Sequence, residues 1–258
     1  MSSKLPEGKQ FLDVSDYARP FALALVKILM PTKIGAYTLT TLFLITGITA
    51  SLLIYYNFIL PLASVLILLK SMLDAADGEI ARQRNQPSIV GRYYDSVSDF
   101  IVNVFLFFSI GHITGTGTWK IIIALLLFHL QGSVYNYYYL VKRYQVKGDR
   151  TSRILEFKTP APFPRDNPVL LKFLHLVYIT IYGWQDLLIF SFDKKAMNTK
   201  ELPDWFLTLV SFLGLGFQLL VIAFLLLIGK HGSTVFIFTY PFTVYAIFII
   251  IIRKIFVR

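Results

Sequence analysis

The chain has no cysteine and few charged residues. Only 16% of its 258 residues are Asp, Glu, Lys or Arg, against roughly 25% in an average soluble domain. The absence of Cys excludes a disulfide-bonded scaffold and thiol catalysis. The hydrophobic residues, 55% of the total, lie in long runs such as 121–128 and 246–252. The composition therefore predicts an integral membrane protein rather than a water-soluble domain.

Six stretches are long and apolar enough to cross a bilayer, which takes about 20 residues. They are 34–56, 58–82, 91–114, 117–141, 204–229 and 233–254. The polar N-terminal segment lacks the short apolar core of a cleavable signal sequence. We therefore predict an all-α membrane protein with six transmembrane helices, forming one domain over residues 1–258.

The basic residues predict the orientation of the spans. The formal net charge is +10, and with a cytoplasmic N-terminus the external loops carry only Lys120 and Lys230. Such an asymmetry is typical of the positive-inside rule and places both termini in the cytoplasm. Because the excess of basic residues reports topology, it does not indicate a nucleic-acid partner.

Two further apolar stretches are predicted to lie along the inner membrane surface. Residues 14–30, within a lead-in segment 1–33, have apolar residues at helical spacing. Residues 169–192 lie in a predicted cytoplasmic segment, 142–203; if they crossed the membrane, the basic C-terminal tail would lie outside. We interpret 169–192 either as a simple interfacial helix or as an element that closes a substrate pocket.

Four aspartates lie near the cytoplasmic ends of two consecutive spans. Asp74 and Asp77 precede a turn at 83–90, and Asp95 and Asp99 follow it. At about 100° per residue, each pair shares one helix face. An aspartate facing lipid is unfavourable, so we expect all four carboxylates to face an internal polar cavity.

Four neighbouring carboxylates repel one another unless cations compensate their charge. All-oxygen ligands suit Mg²⁺ or Mn²⁺, and a pair of such ions can bind and polarise a phosphate. The alternative is a structural set of ion pairs with Arg82, Arg84 and Arg92.

These acids form part of a longer pattern: D-x-x-D-G-x-x-A-R, eight residues, then G-x-x-x-D-x-x-x-D. The fixed positions are Asp74, Asp77, Gly78, Ala81, Arg82, Gly91, Asp95 and Asp99. The pattern resembles the signature of the CDP-alcohol phosphotransferase family of membrane enzymes of phospholipid synthesis. The resemblance implies transfer of a phosphatidyl group from CDP-diacylglycerol, a CDP-activated lipid, to a small polar alcohol with release of CMP.

The resemblance also implies roles for individual residues. The four aspartates would bind two Mg²⁺ or Mn²⁺ ions, and Asp99 would act as the general base. Gly78, Ala81, Arg82 and Gly91 would accommodate the nucleotide, and the lipid part of the donor would stay among membrane lipids. A homodimer is implied by the resemblance alone.

The acceptor alcohol is not identified by the sequence. A polar stripe on the fourth span either lines an acceptor pocket or makes hydrogen bonds between helices. A basic set either binds a phosphorylated acceptor or sets the topology beside anionic lipid. The stripe is His129, Gly132, Ser133 and Asn136, and the basic set is Arg92, Lys142, Arg143, Arg150 and Arg153.

Three other functions compete with this interpretation. The donor and acceptor could be reversed, with a CDP-choline-like donor and diacylglycerol as acceptor. A cation- or proton-coupled transporter would also carry intramembrane acids, but the two inverted halves with broken helices are not evident. An aspartate-rich prenyltransferase would require a second acidic motif on another helix pair.

Overall fold

The computed structural model describes residues 4–149 and 151–257, and this part of the chain contains helices and no strand. Arg150, a member of the predicted basic set, and the C-terminal Arg258 lie outside the described residues. The α-helices are α1 Arg19–Leu29, α2 Ala36–Tyr55, α3 Leu60–Gln83, α4 Ile89–Thr114, α5 Thr118–Gln145, α6 Pro168–Tyr178, α7 Trp184–Phe192, α8 Asp204–Ser211, α9 Leu215–Leu227, α10 Thr234–Thr239 and α11 Pro241–Phe256.

The described residues contain five helical segments that are long and apolar enough to cross a membrane, or six if the bent pair α8–α9 is one span. They are α2, α4, α5, Pro168–Phe192 and His231–Phe256. The predicted class, an all-α integral membrane protein, is confirmed. Helix α3 falls outside this set because Lys70, Asp74 and Asp77 interrupt its apolar residues.

Helix α3 nevertheless packs along α2 over most of its length. At one end Ala63 and Ile67 belong to a core cluster that also holds residues of α2, α4, α5 and α9. At the other end Leu73 and Ile80 pack with α1 and α2. We call the end where α3 stops and α4 starts the acidic end of the bundle.

Both predicted C-terminal spans are interrupted, the first by a sharp bend and the second only by a local break in its helical hydrogen bonding. Helices α8 and α9 meet at a 42° bend, where the turn Val14–Asp16 packs against the chain. A Cβ on Gly216 would lie 1.9 Å from the carbonyl oxygen of Ser15, so only glycine permits this approach. The second break falls at Pro241, which has no N–H to continue the hydrogen bonding of α10.

The predicted surface lead-in contains a regular helix, α1. Its Ala22 and Val26 are buried against α2 and α3. Phe21 and Ile28 are 65% and 69% exposed on its opposite side. Helix α1 thus covers the acidic end of α3 and leaves an apolar face outward, as an interfacial helix would.

The segment Pro168–Phe192 starts and ends near the same end of the bundle, although its length would allow a crossing. Near its start, Leu171 packs with Ile89 and Tyr93 at the beginning of α4. Just after the segment, the Asp193 carboxylate accepts a 2.7 Å hydrogen bond from the Tyr138 hydroxyl. Tyr138 lies roughly 11 Å along α5 from the end of that helix, at the usual helical rise, so Asp193 is also near the acidic end. These contacts agree with six crossings, and the interfacial placement of the segment stays a prediction.

Candidate active site

The turn between α3 and α4 positions the four aspartates. Ser88 caps α4 by accepting a 2.8 Å hydrogen bond from the Gly91 N–H, and its hydroxyl lies 2.7 Å from that of Tyr37. The Asp166 carboxylate accepts a 2.9 Å bond from the Ile89 N–H. A capped, cross-linked start fixes the rotation of α4 and therefore the direction of Asp95 and Asp99.

Three of the four predicted metal ligands converge. Asp74, Asp95 and Asp99 each offer a carboxylate oxygen within 4.8 Å of the other two. Asp77 is not in this group, and its carboxylate accepts a hydrogen bond from the Thr40 hydroxyl. All four line one cavity.

The donor set fits a hard divalent cation. It consists of carboxylate oxygens, which Mg²⁺ and Mn²⁺ prefer, and Asp95 Oδ1 is buried with no partner among the described residues. The structural ion-pair alternative is wrong. Arg82 donates to Glu79, Arg84 to backbone carbonyls such as that of Ile34, and Arg92 to Glu156. The hydrogen bonds of these arginines thus go to groups other than the four aspartates.

Lys70 is a member of the site that the sequence analysis did not predict. Its ammonium is 1% exposed and donates a 2.7 Å hydrogen bond to Asp74 Oδ2 and a second bond to Asp99 Oδ1. It also lies 4.6 Å from the centre of the Phe43 ring. The available signal was its spacing, since Lys70 precedes Asp74 by one helical turn and a lysine within an apolar span needs a partner. We call Lys70 and the four aspartates the acidic cluster.

The acidic cluster opens into a cavity of about 1040 Å³. All the residues predicted for metal and nucleotide binding and most of those predicted for acceptor binding line it: Asp74, Asp77, Gly78, Ala81, Arg82, Gly91, Arg92, Asp95, Asp99, His129, Ser133, Asn136 and Arg143. The glycines matter sterically. A Cβ on Gly78 would lie 3.2 Å from Arg82 Nη1, and one on Gly91 would lie 3.2 Å from Ser88 Oγ.

Some of the predicted acceptor-binding side chains already make hydrogen bonds or ion pairs within the protein, and others do not. Ser133 donates to Gln185 at 3.1 Å, whereas His129 Nε2 is buried with no partner among the described residues. Arg143 donates to the Asp149 carbonyl at 2.8 Å and lies 3.3 Å from its carboxylate. Lys142 contacts Glu201 and Asp204 instead and is not among the cavity-lining residues.

Residues of the segment 151–192 line one side of the cavity. Tyr178, Tyr182 and Asp186 line it, and the Tyr182 hydroxyl donates to the Ser96 carbonyl at 3.1 Å. Glu156 accepts hydrogen bonds from Arg92 and Tyr93. Burial alone would raise the pKa of Glu156, but the hydrogen bonds and charge of Arg92 outweigh burial and hold that pKa below its usual value.

Fold and site together define a polytopic helical membrane protein with a cluster of carboxylates, placed so that they could hold a metal ion, that opens into a large cavity. The family model for CDP-alcohol phosphatidyltransferases matches residues 34–165, just over half of the chain. The chain belongs to this family, whose members transfer phosphate-containing head groups from CDP-alcohols in phospholipid synthesis and are known to use divalent metals. A comparison with curated proteins gave no match. The family match covers α2 to α5 and ends before α6.

Proposed function

We propose that the protein transfers the phosphatidyl group of CDP-diacylglycerol to a small polar alcohol and releases CMP. The observation that carries this proposal is the convergence of Asp74, Asp95 and Asp99 at the wall of the cavity. Bound Mg²⁺ or Mn²⁺, two ions by family resemblance, would neutralise the diphosphate and stabilise the leaving CMP.

The residues of the chain supply the remaining chemistry. The Asp99 carboxylate takes the proton of the acceptor hydroxyl. The acceptor oxygen forms a bond to the phosphorus on the lipid side, the bond from that phosphorus to the CMP oxygen breaks, and CMP leaves with the electron pair. Lys70, bonded to Asp99, orients this carboxylate. Gly78, Ala81 and Gly91 leave room for the nucleotide.

The remaining assignments in this proposal concern the substrates and the orientation. Arg82 holds the nucleotide phosphates. His129, Ser133 and Asn136 contact the acceptor, and Arg92 and Arg143 would join them where that acceptor is phosphorylated. The acidic end lies on the cytoplasmic side with both termini, as the basic residues favour. The lipid tails then stay in the bilayer while CMP and the alcohol exchange with the cytoplasm. Residues 1–258 act as one domain, and a homodimer is the proposed assembly.

The experiment is a measurement of CMP release by purified protein in detergent. Protein with Mn²⁺ or Mg²⁺ and CDP-diacylglycerol is offered serine, glycerol phosphate, inositol, inositol phosphate and choline in turn. We expect CMP with one acceptor and its loss in Asp95→Asn and Asp99→Asn, with folding checked by thermal unfolding. CMP release from CDP-choline with diacylglycerol instead would reverse donor and acceptor. Acid-dependent ion flux in liposomes without nucleotide turnover would favour the transporter.

A further inference from the structure

The cavity continues beyond Asp99 toward the middle of the bundle. Asn103 follows Asp99 by one turn of α4, and His129 and Gly132 line the cavity from α5. At 1.5 Å per residue, Asn103 and His129 lie roughly 21–24 Å along their helices from the acidic end, against about 15 Å for Asp99. Gln218 lines the same cavity from α9. We call Asn103, His129, Gly132 and Gln218 the inner pocket.

Polar atoms in the inner pocket lack partners. Asn103, His129 and Gln218 are 1%, 7% and 0% exposed. Both amide atoms of Asn103, the Nε2 of His129 and the Oε1 of Gln218 make no hydrogen bond to the described residues. Buried polar groups are almost always hydrogen-bonded, because leaving them unpaired is unfavourable. Four such atoms at one cavity indicate a ligand that supplies the missing partners.

The inner pocket offers donors and acceptors but no charge. The helical stretches that form it, 100–114, 121–141 and 215–227, contain no Asp, Glu, Lys or Arg. The basic residues Arg92 and Arg143 lie nearer the acidic end and already contact Glu156 and Asp149. A phosphate or ammonium group in the inner pocket would therefore meet no opposite charge except at its mouth, where Asp99 is bonded to Lys70.

Room for a ligand is left at Gly132. A Cβ there would meet only Gln218 Oε1, at 3.8 Å, so no side chain of α5 fills the space beside this buried amide oxygen. Hydroxyl groups both donate and accept, which matches the amide of Asn103, the ring nitrogen of His129 and the oxygen of Gln218.

We infer that the inner pocket binds the acceptor alcohol and that this acceptor is an uncharged polyol. The inference rests on the proposed function, because Asp99 at the mouth of the pocket is the group that takes the proton of the reacting hydroxyl. It adds Asn103 and Gln218 to the residues that determine acceptor specificity.

The first test compares acceptors in matched pairs at fixed CDP-diacylglycerol and Mn²⁺: glycerol against glycerol 3-phosphate, and inositol against inositol phosphate, with serine and choline beside them. We expect kcat/KM for a neutral polyol to be at least tenfold higher than kcat/KM for its phosphorylated counterpart. It should exceed the values for serine and for choline by the same factor. A preference for a charged acceptor overturns the inference and leaves the proposed function standing, since CMP is still released.

The second test is Asn103→Leu, which removes the amide at nearly constant volume. We expect the KM for the polyol to rise about tenfold, the loss of roughly one hydrogen bond, with the KM for CDP-diacylglycerol unchanged. Thermal stability should stay equal or rise, because Asn103 gives up no hydrogen bond within the described protein. An unchanged polyol KM would overturn the role of Asn103.

The matched control is Gln145→Leu. The Gln145 amide connects the end of α5 to the loop before α8: it donates a 3.0 Å hydrogen bond to the Thr199 hydroxyl and accepts a 2.8 Å bond from the Leu202 N–H. Gln145 does not line the cavity. This variant should lose stability and keep its polyol KM, the opposite of Asn103→Leu.

A binding measurement without donor decides the case if no acceptor supports turnover. Equilibrium binding of tritiated inositol and tritiated glycerol is measured in wild type and Asn103→Leu in the absence of nucleotide. Saturable binding that the variant weakens supports the inner pocket even where the proposed function has failed. No saturable binding of either polyol overturns the inference.

Discussion

Two groups of charged residues hold α3, α4, α5 and α11 in place, and they differ in charge balance. The acidic cluster sets four aspartates against a single lysine, Lys70. At the end of α5 and in α11, Asp193 is paired with Arg253, and Lys142 with Glu201 and Asp204. We call this second group the C-terminal clamp.

The difference in charge balance indicates different roles for the two groups: paired charges stabilise the fold, whereas an excess of negative charge favours cation binding. In the C-terminal clamp the buried acid Asp193, 2% exposed, has a guanidinium and the Tyr138 hydroxyl as partners. The acidic cluster keeps an excess of negative charge and a carboxylate oxygen, Asp95 Oδ1, without a partner in the described chain. An excess of this kind is unfavourable for folding unless a cation compensates it. The comparison therefore supports the proposal that the acidic cluster, rather than the C-terminal clamp, binds a cation.

The largest effect is expected when a ligand of the acidic cluster is neutralised. Asp95→Asn should lower CMP release at least about 10³-fold, because the metal-held charge stabilisation is lost. Its thermal stability in EDTA should equal or exceed that of wild type, since one repelling charge is removed. The control is Asp204→Asn, whose carboxylate is 59% exposed in the C-terminal clamp. Full activity in Asp95→Asn would contradict the assignment of the cluster.

Breaking the balanced group should affect folding rather than chemistry. Arg253→Met leaves the buried Asp193 carboxylate without its guanidinium, which we expect to lower the free energy of unfolding by about 3 kcal/mol. The remaining folded protein should keep the KM values of wild type. The measurement is denaturant unfolding in detergent beside steady-state kinetics. A tenfold change in KM with unchanged stability would contradict this prediction, because it would give the C-terminal clamp a role in substrate binding rather than in folding.

A pair of buried lysines gives a finer test. Lys70→Met should lower the melting temperature in EDTA and increase the stabilisation that Mn²⁺ provides. The apparent affinity for Mn²⁺ should rise about tenfold, because a positive charge that competes with the ion is removed. Lys142→Met should lower the melting temperature equally with and without Mn²⁺, because its partners are Glu201 and Asp204. Mn²⁺ binding is followed by electron paramagnetic resonance. Equal responses of the two variants to Mn²⁺ would show that Lys70 is only structural.

The sequence predicted what depends on local pattern. Apolar runs predicted an all-α membrane protein, which the five or six candidate spans of the described residues confirm, and the spacing of Asp74, Asp77, Asp95 and Asp99 predicted two acidic helix faces. Charge repulsion then predicted a metal site, which the converging oxygens support. The family resemblance is confirmed by the family match.

Other features depend on contacts between distant residues. The bend between α8 and α9 occurs where Ser15 approaches Gly214 and Gly216, some 200 residues away in the chain. Lys70 was not predicted as a member of the site, because its second partner, Asp99, lies 29 residues away on another helix. The sequence shows that Asn103 follows Asp99 by one helical turn. That its amide has no hydrogen-bond partner among the described residues depends on how α4, α5 and α9 pack, which the sequence does not show.

An acid outside both groups shows the effect of burial without an excess of charge. Asp13 accepts hydrogen bonds from the Ser15 N–H at 3.0 Å and the Tyr135 hydroxyl at 2.6 Å, and burial raises its pKa to about 6 despite them. The folded state therefore holds the proton more tightly than the unfolded chain, so stability declines as pH rises from about 4 and levels off above about 7. We expect wild type to be about 1 kcal/mol more stable at pH 5 than at pH 7.5 from this residue.

Asp13→Asn should remove that contribution while keeping both contacts, because the amide oxygen accepts from Ser15 and the amide N–H donates to the Tyr135 hydroxyl. The measurement is denaturant unfolding at pH 5 and pH 7.5 in wild type, Asp13→Asn and the exposed control Glu7→Gln. A pH dependence that persists unchanged in Asp13→Asn would assign it to another group. Its loss would show that burial, aided by the neighbouring charge of Asp16, shifts stability by about 1 kcal/mol, well below the effect expected for the unbalanced acidic cluster.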